Sequence, residues 1–294
     1  MLQTSRLSRR QWLASAASLS AAPALLLAKG GRTIGVQLYT VRGVLPKDSE
    51  HVLKTIADIG YKEIEGQGRE GLIALAPRIK ELGMTPVSCH VETPLITGDW
   101  EKYKMKEVPL EEAIESVKKI GVQYFTMAYI QPQARGDLDF YKKTADNMNR
   151  VGEQCHKAGL QFAYHNHAFE FGGKPGERPI DIFHERLDKK LVALEMDVFW
   201  VSVAGNDPIE MMKLWKGRVQ LLHLKDKEKG TPVQYSESVP KTAFKEVGSG
   251  VLDFPAILKA APAAGVKHYF VEQDQTPGDP LDSLKKSFDY IQSV

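Results

Sequence analysis

The amino-acid sequence predicts a parallel (β/α)8 barrel. Three observations carry this prediction. Eight short strand-like runs follow one another along the chain, and most are separated by stretches of helical period, the βαβα pattern of a parallel sheet. Ionisable side chains gather at the ends of several runs, where such barrels keep their chemistry. The 294 residues leave room for one barrel and an N-terminal extension.

The extension comes first. Ser8-Arg9-Arg10-Gln11-Trp12-Leu13 sets paired arginines before an Ala/Leu-rich run that ends at Ala28. A charged stretch followed by a short apolar one is a signal peptide, and twin arginines point to the Tat translocon. Residues 1–28 are read as that signal, cut near Ala24 or Ala28, with a periplasmic mature protein that keeps no membrane anchor. Losing Arg6, Arg9 and Arg10 removes three positive charges from a formal net charge of +2. The mature chain is then near neutrality and lacks the basic field that nucleic acid requires. A homo-oligomer is left open.

Residues 33–294 are read as one barrel domain. The strand runs are Thr33–Val41, Tyr61–Gln67, Thr85–Glu92, Tyr124–Ile130, Gln161–Phe169, Val192–Phe199, Val219–Asp226 and His268–Asp274. Helical spacing marks Glu50–Ile59, Gly71–Leu82, Leu110–Ile120, Leu138–Ala158, Ile180–Leu187, Pro208–Trp215 and Phe254–Ala264, with Pro280–Val294 as a closing helix. Glycines 60, 83, 121, 159 and 265 follow several of these, as left-handed caps do. The segment Lys227–Gly250 is long for a strand-to-helix connection, which suits a lid or substrate wall. Cys89 and Cys155 read as buried free thiols.

Alternate side chains of a barrel strand face inward or outward. One parity is greasy: Val36, Leu38, Cys89, Val91, Phe162, Tyr164, Leu194, Met196, Val198, Leu222, Leu224 and Val271. The other carries Gln37, Tyr39, Glu63, Glu65, Gln67, Ser88, His90 and Glu92, then His165, His167, Glu195, Asp197, His223, Lys225, Glu272 and Asp274. Buried charges need partners or a metal, because burial unpaired costs several kcal/mol each, on the order of a domain's whole stability. An inner face so rich in imidazole and carboxylate points to a divalent metal site. The alternative is an internal ion-pair network without function. The fourth run has only tyrosines to ionise and supplies wall.

These residues resemble the sugar phosphate isomerase/epimerase family of xylose isomerase-like TIM barrels. The matching stretches are Ile34–Arg42, Tyr164-His165-Asn166-His167-Ala168-Phe169-Glu170-Phe171, Leu222–Asp226, Glu246–Gly250 with Asp253-Phe254, and His268–Asp274. By motif position the resemblance implies one divalent ion on His165, Asp197, His223 and Glu272. Two imidazoles with two carboxylates suit Mn2+, Co2+, Fe2+ or Zn2+ better than Ca2+. The type-IV AP endonucleases share the barrel with three metals, but one of their extra ligands falls on Trp200 here.

The implied activity is a sugar or keto-sugar isomerase or epimerase. Glu272 removes a proton next to a carbonyl, and the metal stabilises the enediolate. Epimerases of this kind place two glutamates on opposite substrate faces, and His165 stands where one is expected. The second acid/base is then Glu170, His167, Lys225 or a metal-bound water. A keto-glycoside lyase, hydratase or dehydratase begins with the same proton removal and is the rival reading. A non-catalytic exported sugar-binding barrel is a third.

Gln37, Glu65, His90, His167 and Lys225 are candidate substrate-binding groups. His90 also reads as a satisfied core histidine, and Lys225 as an ion-pair partner of Glu195 or Asp226. Trp200, Phe199, Tyr39 and Tyr129 are candidate sugar-stacking rings. Gly248 and Gly250 lack the surroundings of a phosphate loop.

Overall fold

The computed structural model describes residues 32–294, and the signal segment read from the sequence lies outside them. Residues from Thr33 onward form one compact unit. Its centre is a closed barrel of eight parallel strands. These are β1 (Gly35–Gln37), β2 (Glu63–Gly66), β3 (Thr85–Val91), β4 (Tyr124–Met127), β5 (Gln161–His165), β6 (Val192–Asp197), β7 (Val219–Leu224) and β8 (His268–Val271). Each strand pairs with its sequence neighbours, and β1 closes on β8 with Gly35 opposite Phe270.

The shell is built from α1 (Ser49–Ile59), α2 (Arg69–Glu81), α3 (Leu110–Lys119), α4 (Leu138–Ala158) and α5 (Pro179–Arg186). It continues with α6 (Val198–Val203), α7 (Pro208–Leu214), α8 (Phe254–Ala264) and α9 (Pro280–Ser293). Aspartates cap several of them. Asp48, Asp137 and Asp253 each accept a backbone N–H from the first turn, satisfying a donor that the helix itself leaves unpaired. At the far end of α4 the chain turns at Gly159, φ 85°, whose N–H returns to the helix carbonyls.

The observed strands are shorter than the sequence runs, and local hydrogen bonds are the reason. Gln37 Oε1 accepts from Tyr39 N at 3.0 Å, and Leu38–Val41 wind into a 3-10 turn. Asp197 Oδ1 accepts from Trp200 N at 3.0 Å, so Val198 opens a helix instead of extending β6. A side chain able to bond the backbone ahead competes with the sheet ladder.

The outward parity is borne out, since those apolar residues all join the main core cluster. The inward face divides into layers that the sequence reading did not separate. Val87, Tyr124, Ala163, Ala193, Leu221 and Phe270 form a separate apolar cluster. Most lie two positions before a polar inward residue, so they plug the barrel beneath the ionisable layer. Glu63 belongs with that lower end, where its carboxylate lies 3.0 Å from His268 Nδ1.

The long segment after β7 begins with a small antiparallel ribbon, Asp226–Lys227 against Phe244–Lys245. Asp226 is fully buried and staples its base. Oδ1 accepts from Lys227 N and Leu252 N, and Oδ2 from Gly248 N and Gly250 N, at 2.7–3.1 Å. Gly250 is required by this close approach: a Cβ there would lie 2.3 Å from Lys227 O and 2.4 Å from the Asp226 carboxylate.

Candidate metal and substrate site

A cavity of about 740 Å³ opens at the C-terminal ends of the strands. His90, His165, His167, Lys225, Glu272 and Asp274 line it, with Tyr39, Tyr129 and Trp200 as aromatic wall. Gln37, Glu65, Asp197 and His223 lie buried without contributing to the lining. Phe199 packs instead against Phe244, ring centroids 4.6 Å apart. The other three candidate sugar-stacking rings face the cavity.

Beneath the cavity the imidazoles and carboxylates form a continuous network. His223 Nε2 lies 2.6 Å from Glu65 Oε2, and its Nδ1 lies 2.9 Å from Glu272 Oε2. Glu195 Oε2 receives two imidazoles, His90 Nε2 at 2.8 Å and His165 Nδ1 at 3.1 Å. Gln37 donates to Glu65 Oε2 at 2.9 Å. Glu195 was visible in the sequence as an inward residue, but not its part as the anchor of two histidines. That part depends on contacts between strands.

Lys225 is almost wholly buried, and its partners are not Glu195 or Asp226. Its Nζ lies 2.6 Å from Asp274, 2.8 Å from Glu272 and 3.1 Å from Asp197. Asp226 spends its carboxylate on the loop staple instead. Three carboxylates around one ammonium set the local electrostatics. Burial opposes charge on Lys225, yet Asp197, Asp274 and Glu272 hold its pKa well above the ordinary lysine value. Burial would raise Glu272, but Lys225 and His223 keep it ionised, below the usual carboxylate range. Burial pushes Asp274 up to about 6 even with the ammonium against it.

The deeper groups follow the same logic. Burial works against charge on His90, but Glu65 and Glu195 hold its imidazolium up to about 10. Burial and the neighbouring Glu65 push Glu195 up to about 8. His165 and His167 go the other way: burial lowers both well below the ordinary value, with His223 adding to the effect on His165 and Lys225 to that on His167.

Among the described residues, two groups of side chains are arranged so that one ligand atom from each lies within 4.8 Å of the others in its group. One is Asp197, His223 and Glu272, and the other is His90, His165, Glu195 and His223. Asp197 Oδ2 is buried and makes no directed hydrogen bond, and the cation it faces here is the Lys225 ammonium 3.1 Å away, so the first group presents carboxylate oxygen suited to a positive charge. The donor set of two carboxylates and an imidazole fits a divalent ion. His165 falls in the other group, although its Nε2 comes within 3.8 Å of Asp197 Oδ2. Burial opposes charge on His223, but Glu195, Glu65 and Glu272 hold its pKa well above the ordinary histidine value, so a metal bound there would have to displace a proton.

Glu170 is not brought to the cavity. It sits fully buried in the turn Phe169–Phe171, where it accepts from Tyr164 Oη and, at 2.9 Å, from His167 N. Burial pushes it up to about 8. The chain leaves the sheet after His165, so strand parity no longer governs where Glu170 points. His167 does face the cavity, its ring between Tyr129 at 4.6 Å and Trp200 at 5.5 Å. Its Nδ1 is buried without a hydrogen bond.

One cavity residue gave no signal in the sequence. Glu237, in the long loop, receives Tyr129 Oη and Arg135 Nη2, each at 3.0 Å, and pins the loop over the site.

Comparison with known proteins places this geometry among relatives. A family profile described as xylose isomerase-like TIM barrel matches residues 53–294. An inosose dehydratase of Geobacillus thermodenitrificans is 29% identical over 229 residues, covering 68% of this chain and 76% of that protein. An inosose dehydratase of Clostridium perfringens is 30% identical over 161 residues, 51% of this chain and 54% of that one. The crystal structure of a sugar phosphate isomerase/epimerase from Parabacteroides distasonis superposes with a TM-score of 0.72 at 25% identity, covering 94% of this chain and 98% of that one.

Proposed function

Since the chain belongs to the xylose isomerase-like TIM barrel family, we propose that it removes a proton next to the carbonyl of a keto-sugar or related cyclic polyol ketone and eliminates an oxygen substituent from the adjacent carbon. This is dehydratase or lyase chemistry. One observation carries the choice. Glu272 and Lys225 form an ionised base and a cation 2.8 Å apart at the cavity. The other lining carboxylates, Asp274 and Glu237, are held by Lys225 and by Tyr129 with Arg135. Elimination needs one base. Epimerisation needs a proton removed on one face and returned on the other.

Glu272 engages both His223 and Lys225 through Oε2, which leaves Oε1 to accept the substrate proton. As the C–H pair becomes the new double bond, charge grows on the carbonyl oxygen, and the Lys225 ammonium at the cavity stabilises it electrostatically while its three N–H groups stay with Asp274, Glu272 and Asp197. The protonated Glu272 then returns its proton to the departing oxygen, so base and acid are the same carboxyl. Asp197, His223 and Glu272 would hold a divalent ion, with His165 as the fourth ligand, and such an ion supplies Lewis-acid polarisation of the substrate oxygen. His167, Trp200, Tyr129 and Tyr39 offer a wall for a sugar ring, and Gln37 and Glu65 orient the imidazoles beneath it. In this reading Glu170 positions His167 through the backbone.

The inosose dehydratase relatives support elimination. The Parabacteroides structure supports a second reading, an isomerase or epimerase that uses the same first step. NMR of products from a panel of ketoses and cyclic polyol ketones separates them. The proposal expects release of water or of the glycosidic alcohol and an enone, which appears as its 1,2-diketone tautomer where the deprotonated carbon bears a hydroxyl. Conversion to epimers or isomers alone would overturn it.

A further inference from the structure

A second cavity, of about 840 Å³, adjoins the first. Its walls are the start of α2, the end of β3 and residues 105–109. Gln67, His90 and Val91 line both, so His90 stands where the two meet. Small-molecule pockets measure roughly 300–1,000 Å³. The mouth cavity reaches that range alone, and the joined pair exceeds what one sugar ring fills.

The lining of the second cavity defines what it takes. Arg69 is 7% exposed and lies 3.2 Å from Glu92, with a further contact to Ser116 Oγ at 3.5 Å. That wall is therefore polar and held in place before any ligand arrives. Arg69 and Glu92 are spent on each other and His90 on Glu65 and Glu195, which leaves Glu70, Glu107 and Glu112 against Lys106. The balance repels a phosphate and offers acceptors to hydroxyl groups. Val91, Met105, Val108 and Pro109 add an apolar strip on which the C–H face of a sugar ring can lie.

We infer that the substrate carries a second, uncharged, hydroxylated ring, which passes His90 and seats in this cavity while the reacting ring occupies the mouth. This rests on the sugar-ketone reading above for the reacting ring, and it names the substrate class as a two-ring, unphosphorylated glycoside.

Gly71 tests it. It lines the second cavity and not the first, and a Cβ there meets nothing within 4 Å. Gly71→Trp should fill the space, and Gly71→Ala should leave it open. Binding of maltose, cellobiose and trehalose to the full chain is compared by ligand-observed NMR with that of methyl glucoside. At least one disaccharide should bind about tenfold tighter than methyl glucoside. Gly71→Trp should abolish that gain without changing methyl glucoside binding, and Gly71→Ala should keep it. Absence of a gain for all three disaccharides, or a gain that survives Gly71→Trp, would overturn the inference. Glucose 6-phosphate binding tighter than methyl glucoside would overturn the exclusion of phosphate. No turnover is read, so failure here is distinct from failure of the elimination chemistry.

Discussion

Lys225→Met is the substitution whose consequence follows most directly from the geometry. Methionine keeps the length of the buried side chain and removes its charge, leaving Asp197, Glu272 and Asp274 without the ammonium that lies 2.6–3.1 Å from each. Breaking a buried pair by deleting one partner costs about 3–5 kcal/mol. The upper end is set by an alternative open to the protein. A carboxylate of ordinary pKa near 4 can take up a proton at pH 7.5 for about 5 kcal/mol. At this chain length each kcal/mol moves Tm by about 2–3 °C, so the variant should melt roughly 10 °C lower at pH 7.5. The sign with pH is fixed as well. Asp274, already raised to about 6 with Lys225 present, rises further without it, so the folded state binds more protons than the unfolded one above pH 4. Stability is then recovered as pH falls through that window, and the gap to wild type should narrow by pH 5. Thermal unfolding in chelator at both pH values measures this. A variant within about 2 °C of wild type at pH 7.5, or a gap that does not narrow, would refute the three-carboxylate arrangement.

Three further outcomes are expected. Asp226→Ala deprives four backbone N–H groups of their charged acceptor and should cost about 3–5 kcal/mol in denaturant unfolding, with faster amide exchange at Gly248 and Gly250; a loss below about 1 kcal/mol would remove the staple. Glu170, held up at about 8, takes stability away as pH climbs from its unfolded value through 8, so Glu170→Gln should gain on wild type by up to a few kcal/mol between pH 5 and 8.5, and a pH-independent difference would contradict it. Elemental analysis should find about one divalent ion per chain, lost in His223→Ala and bound more tightly as pH rises, because the ligating imidazole must release its proton; active protein free of metal would contradict this.

Much of the barrel was legible because a strand reads with period two. The alternation of Phe162 and Tyr164 with His165, or of Leu222 and Leu224 with His223 and Lys225, sorts inner from outer faces before any coordinate is known. Where strands stop was less legible. Asp197 and Gln37 end their strands by bonding the backbone ahead, and composition does not reveal such bonds. Glu170 shows the consequence: beyond His165 the pattern no longer has a period, and the carboxylate turns into the wall. The apolar plug was missed because Ala163, Ala193 and Leu221 share the parity of the ionisable layer and differ from it only in depth. Glu237 lies in a loop without periodicity, and only the folded chain brings it to Tyr129 and Arg135.

Proton removal by Glu272 is the central claim, and isotope exchange reads it directly. Metal-loaded protein incubated in D2O with the substrate ketone identified by the product panel should give loss of the proton next to the carbonyl, followed by NMR together with the elimination product. In Glu272→Gln both should fall by about two to four powers of ten, since the amide keeps the shape but cannot accept the proton. Exchange at the wild-type rate in that variant would place the base elsewhere and contradict the account.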